Sequence, residues 1–100
     1  MRVTRSLRLE AATTEATVGE SVTVRVTDNL GRPVENAVVT SESVHARTDE
    51  RGLCRITFHT PGFRTLKAAR SPGERVAYRS ARATLRVVPE GRARLARRLG

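Results

Sequence analysis

Asp28-Asn29-Leu30-Gly31-Arg32-Pro33-Val34 and Thr48-Asp49-Glu50-Arg51-Gly52 decide the fold of this 100-residue chain. Both set turn-forming residues directly against runs of alternating apolar residues. Asp and Asn side chains hydrogen-bond their own backbone in turns, Gly supplies a positive φ, and Pro ends a hydrogen-bonded ladder. Two such reversals between β-type runs predict a small antiparallel sandwich, and they contain nothing that reads as an active centre.

Working outward, Val22, Val24 and Val26 alternate with Thr23, Arg25 and Thr27 just before the first reversal. This is the cleanest period-two run in the chain, and Val and Thr suit a pleated surface. Upstream, Leu7, Leu9 and Ala11 alternate with Arg8 and Glu10, and Val18-Gly19-Glu20-Ser21 forms a turn. Between the two reversals, 37–41 reads as a brief strand, and 44–48 either continues it or forms a short edge strand, a position that suits polar Ser43, His45 and Arg47. After the second reversal, Cys54, Ile56 and Phe58 face inward. The stretch 63–69 follows with Leu66 and Ala68 inward, and Phe63, out of phase with them, predicts a bulge or a turn position. Residues 76–78 are extended. Ala81, Ala83, Leu85 and Val87 alternate with Arg82, Thr84 and Arg86 until Pro89 stops the strand. Strand signals about every ten residues are the spacing of an all-β sandwich. The predicted organisation is one sandwich domain over 1–89 and a short basic tail or linker over 90–100. Leu95 and Leu99 lie one helical turn apart in that tail, so it is able to become helical on a partner.

A single domain of this size closes one modest core. That core is aliphatic, because aromatics are 3% of the chain and Trp is absent. The formal charge is +9, with a pI near 11.6, and Lys67 is the only lysine. Arginine favours planar, bidentate contact with carboxylate or phosphate, so the balance points to an acidic partner. Cys54 is the only cysteine, which excludes an internal disulfide. No apolar run approaches the roughly 18 residues of a membrane span. The N-terminus is basic but has no continuous apolar segment of a secretory signal. The expected location is cytoplasmic for a complete chain, and a cell surface or virion for a module of a longer protein.

The ordered series Val18-Gly19-Glu20-Ser21-Val22-Thr23-Val24, Val26-Thr27-Asp28 with Gly31 and Pro33-Val34, Ala37-Val38-Val39, Thr48-Asp49 with Gly52, Ile56-Thr57-Phe58, and Pro61-Gly62-Phe63 with Leu66 and Ala68 resembles the bacterial Ig-like domains of the invasin and intimin type. The related carboxypeptidase regulatory-like, transthyretin-like modules share much of it. The resemblance spans roughly residues 6 to 88. It implies a Greek-key antiparallel sandwich of about seven strands, used as a spacer or adhesive unit of surface proteins or as a decoration of viral particles, and not as an enzyme. This chain is more basic than that family, and its tail after Pro89 has no counterpart in the pattern.

Asp28 and Asp49 have carboxylates that calcium would accept, but calcium needs several converging oxygens, and Arg32 and Arg51 stand close by. Stabilising the turn is the stronger reading, and Gly31, Pro33 and Gly52 define the same turns. His45 and His59 have no second ligand at metal spacing. Cys54 lies on the inward face, which suits an inert core residue. No metal, cofactor or catalytic residue is therefore expected. The arginines carry the sharpest hypothesis. Arg25 and Arg55 point outward on one sheet; Arg82 and Arg86, with Arg79 nearby, point outward on the other; and Arg92, Arg94, Arg97 and Arg98 crowd the tail. Arg82, Arg86 and the four tail arginines are the candidate contacts to an anionic partner. The leading expectation is a non-enzymatic module that spaces, decorates or mediates protein association in a larger assembly. The alternative is an arginine-driven binder of nucleic acid or another anionic surface.

Overall fold

The computed structural model describes residues 3–42 and 44–89. The expected tail over 90–100, with Arg92, Arg94, Arg97 and Arg98, lies outside the described residues. Ten strands follow one another: β1 (Val3–Ser6), β2 (Arg8–Ala11), β3 (Glu15–Thr17), β4 (Ser21–Thr27), β5 (Val38–Ser41), β6 (Val44–Arg47), β7 (Leu53–Thr57), β8 (Gly62–Ala69), β9 (Val76–Arg79) and β10 (Ala81–Val88). The described residues are all-β.

The strands form a three-stranded sheet in the order β2-β4-β7, a five-stranded sheet in the order β3-β10-β8-β5-β6, and a parallel pair of β1 with β9. Ten strands replace the expected seven or so for local reasons. Leu7 alone separates β1 from β2, and Ser80 alone separates β9 from β10, so two long extended segments each serve two sheets. After β2 the chain crosses from the three-stranded to the five-stranded sheet. There β3 pairs in parallel with the end of β10, Ala16 opposite Val87. Residues 15–17 are too short to show a period in the sequence.

The alternating side chains of both sheets meet in one core. Val24, Val26, Ala37, Val39, Leu66 and Ala68 are fully enclosed, with Leu9, Ile56, Phe58, Leu85 and Val87 packed around them. Each large aliphatic side chain buried in this way stabilises the fold by about 1.5–3 kcal/mol. The expected inward sets on β2, β4, β7, β8 and β10 are the ones observed. Phe63 is the exception: it is a paired residue of β8, neither a bulge nor a turn position. The β8–β10 register runs unbroken from Gly62 opposite Val87 to Ala68 opposite Ala81, with Phe63 opposite Arg86. Phe63 points outward and is 75% exposed.

The two reversals are built alike. In the first, Asp28 Oδ1 accepts the N–H groups of Leu30 (2.8 Å) and Arg32 (3.0 Å). In the second, Asp49 Oδ1 accepts those of Arg51 (2.8 Å) and Leu53 (3.0 Å). In each corner the Gly three residues after the Asp donates its N–H to the Asp carbonyl, and the Asp N–H donates to the carbonyl four residues on. Gly31 and Gly52 hold φ of 80° and 75°, a region in which a Cβ is strained.

The corners also lock together. Gly52 O accepts the Val26 N–H at 2.8 Å, and Val26 O accepts the Val34 N–H at 3.1 Å. Buried Thr48 adds a second tie: its hydroxyl donates to Val34 O at 2.6 Å and accepts the Ala37 N–H at 2.9 Å. A Cβ on Gly52 would stand 2.5 Å from Val26 O, whereas one on Gly31 would meet nothing within 4 Å. Gly31→Ala therefore costs backbone strain alone, about 1–2 kcal/mol, and Gly52→Ala costs more, because backbone atoms must also move. Urea melts of the two variants check this; equal losses would contradict it.

Candidate anionic-partner surface

Strand register converts the outward residues of the five-stranded sheet into a map of its exposed face. One row crosses four strands: His45 of β6, Thr40 of β5, Lys67 of β8 and Arg82 of β10. The next row carries Arg47, Val38 and Ala69. Thr65 stands opposite Thr84, and beyond them Phe63, Arg86 and Glu15 share a row. Arg47, Lys67, Arg82 and Arg86 thus project from one face, and Glu15 is the carboxylate opposing them among the described residues. Its Oε2 is 4.0 Å from Arg86 NH1, with both side chains about half exposed. An exposed pair at that distance is worth little.

The outer face of the three-stranded sheet is also basic, with Arg8, Arg25 and Arg55. There Arg25 stands opposite Glu10, and Arg55 opposite Thr23, so cations meet an acid or a hydroxyl. On the five-stranded sheet, Lys67 and Arg82 stand directly opposite each other. Like charges in that position destabilise a sheet, and no salt bridge relieves Lys67 or Arg82 among the described residues. The sequence places Arg82 and Arg86 on this face; Lys67 and Arg47 join them only once the register is known. Arg79, at the exposed end of β9, belongs to the parallel pair instead, opposite Ser6.

The remaining candidates have structural explanations. Burial alone would raise the carboxyl pKa of Asp28. The N–H groups of Arg32 and Leu30, and then the guanidinium charges of Arg32 and Arg5, more than offset this and hold it below the usual carboxylate range. Arg32 Nε lies 3.5 Å and Arg5 NH1 4.0 Å from Asp28 Oδ2. Asp49 is lowered by the N–H groups of Leu53 and Arg51. In both corners the carboxylate is committed to its own backbone, and no cluster of three or more His, Cys, Asp or Glu is placed to hold a metal ion among the described residues. Pro33 continues the first corner as an isolated bridge partner of Thr27. Cys54 is buried on the inward face; burial first, and the Asp49 charge second, push its thiol pKa up, which keeps it protonated and unreactive. His45 and His59 are both exposed.

Arg64 went unread in the sequence. It lies near the start of β8, in phase with inward Leu66 and Ala68, and its side chain is largely buried. NH1 donates to Glu42 Oε1 at 2.9 Å, and NH2 donates to Thr60 Oγ1 at 2.7 Å and to Pro61 O at 2.8 Å. The alternation through Leu66 and Ala68 was the signal that could have found it.

Among the described residues no helix is long and apolar enough to cross a membrane. No protein-family model matches the chain, and no curated protein matches it.

Replacing one member of the like-charge pair tests the cost of this face. Lys67→Glu turns the repulsion from Arg82 into attraction and raises stability by about 0.2–1 kcal/mol at low salt, a gain that fades as salt screens the pair. Thermal melts at low and high ionic strength measure it; a loss of stability at low salt would contradict the map.

Proposed function

We propose that this chain is a non-enzymatic Ig-like module that mediates protein association in a larger surface or virion assembly, docking the outer face of its five-stranded sheet on an acidic protein surface. The observation that carries the reading is the Lys67–Arg82 pair, two cations directly opposed across β8 and β10 with Arg47 and Arg86 on the same face. Residues that break a local stability rule without local relief are the expected mark of a binding face. An acidic partner supplies that relief, and it speeds encounter and selects against basic partners.

The sheet memberships support the Ig-like part. An Ig sandwich sets its first, second and fifth strands in one sheet and its third, sixth and seventh in the other. Setting aside β1, β3 and β9, the first, second and fifth of the remaining strands (β2, β4 and β7) share one sheet here, and the third, sixth and seventh (β5, β8 and β10) share the other, in keeping with a Greek-key path; the fourth, β6, stays beside β5 instead of joining the first sheet. The resemblance in sequence points the same way. Fold alone does not fix function, so the docking face carries the functional part of the reading.

Arginine-driven binding of nucleic acid is the second reading, and the exposed Phe63 beside Arg86 favours it as a stacking surface. Nonspecific single-strand binders stack successive bases on several aromatics, and this face offers one. Binding to polyglutamate and to nonspecific DNA, titrated with salt, decides between the readings. The chain binds polyglutamate at low salt, and Lys67→Glu/Arg82→Glu weakens that binding roughly tenfold or more. Tighter binding to DNA with a steep salt slope would favour the second reading, and binding indifferent to the double substitution would overturn the face itself.

A further inference from the structure

We propose that a second basic site, away from the sheet face, binds one small oxyanion group, a carboxylate or a phosphate: the cleft framed by Arg5, Arg32, Arg70 and Tyr78. The cleft has a volume of about 290 Å³, near the lower end of small-ligand pockets at about 300 Å³. It forms where the first corner meets the β1–β9 pair, and Arg5 and Tyr78 are register partners in that pair.

Arg70 is the strongest part of the site. Its Nε donates to Glu35 O at 2.9 Å and its NH1 to Ser71 O at 2.8 Å. Its guanidinium carbon lies 5.7 Å from the centre of the Tyr78 ring, within cation–π range. Three constraints hold a long surface side chain in one place. The rotamer freedom that binding would otherwise remove is already lost on folding. NH2 of Arg70 has no hydrogen-bond partner among the described residues, so one end of the planar fork remains for a ligand.

Arg5 adds a second donor group. Its NH1 stands 4.0 Å from Asp28 Oδ2, beyond hydrogen-bond distance. Asp28 Oδ1 is taken by two backbone N–H groups of its own corner, and Oδ2 lies nearer to Arg32 Nε, at 3.5 Å, than to Arg5. Three guanidinium groups against the carboxylates of Asp28 and Glu35 leave a positive balance suited to one anionic group and not to a polyanion. Planar forks on two sides match the oxygen geometry of a carboxylate or phosphate, and the Tyr78 ring gives the ligand an apolar wall.

The test follows the arginine Nε–H resonances of the ¹⁵N-labelled full chain during separate titrations with inorganic phosphate and with acetate at fixed ionic strength. The proposal expects saturable shifts at Arg70 and Arg5 with at least one of the two anions, and the anion that saturates identifies the ligand chemistry. Arg70→Gln weakens the apparent affinity roughly tenfold or more, and Arg5→Gln does so too. Arg25→Gln, on the outer face of the three-stranded sheet, leaves it unchanged. Arg70→Lys keeps the charge but loses the fork, and it weakens binding as well; it serves as the readout if Arg70→Gln does not fold. Shifts that grow linearly with both anions, or that survive Arg70→Gln or Arg70→Lys at full affinity, would overturn the proposal. The sheet-face reading stands or falls separately, because Lys67 and Arg82 take no part in this cleft.

Discussion

A single aspartate oxygen accepting two N–H groups of its own turn is the interaction on which this molecule depends, and the molecule uses it twice. Asp28 Oδ1 and Asp49 Oδ1 each bind the amides two and four residues ahead. Each reversal thereby satisfies these backbone donors within its own turn. A Gly at positive φ completes each corner. An aliphatic sandwich with few aromatics and no disulfide has little else to fix where its strands turn.

The consequence reaches across the fold because the corners touch. Gly52 presents its carbonyl to Val26, Val26 presents its own to Val34, and the Thr48 hydroxyl joins Val34 to Ala37. The end of β4, the approach to β5 and the start of β7 are held in one hydrogen-bonded unit. That unit sets which side chains of β4, β5 and β7 face inward, and one-residue slips would expose Val24, Val39 and Ile56 together. Asp28 also pairs with Arg32 and stands beside Arg5 at the edge of the cleft that holds Arg70, so the same corner borders a candidate ligand site.

Most of the fold was legible in the sequence because its signals were local. Val22 to Val26 and Leu7 to Ala11 alternate, and turn residues stop them. The reading failed where the deciding contact was distant. β3 is three residues long and exists through its pairing with β10. Phe63 looked out of phase because the inward position beside it is an arginine, held at the rim by Glu42, Thr60 and Pro61. Thr48 reads as a turn residue, yet its hydroxyl bridges backbone from 34 to 37. The candidate surfaces were the least legible part. Lys67 and Arg82 are 15 positions apart in the chain, and only strand register shows that they oppose each other. Arg5 and Tyr78 come together for the same reason, and Arg70, just beyond β8, joins them through its bonds to the Glu35 and Ser71 carbonyls.

The central claim is that ionised Asp28 and Asp49 hold the corners. Both carboxyl groups have pKa values below the ordinary 3.8 in the folded chain. A group whose pKa is depressed by folding contributes stability that is present above its unfolded pKa and is lost as pH falls through its folded pKa. Asn keeps the accepting Oδ1 but not the charge, and it resembles a protonated Asp in shape. The direct measurement is therefore unfolding free energy against pH for the native chain and for Asp28→Asn/Asp49→Asn. The native chain is the more stable above pH 4, and the gap narrows toward zero as the pH falls below it. A gap that stays constant with pH, or no gap at neutral pH, would contradict the account.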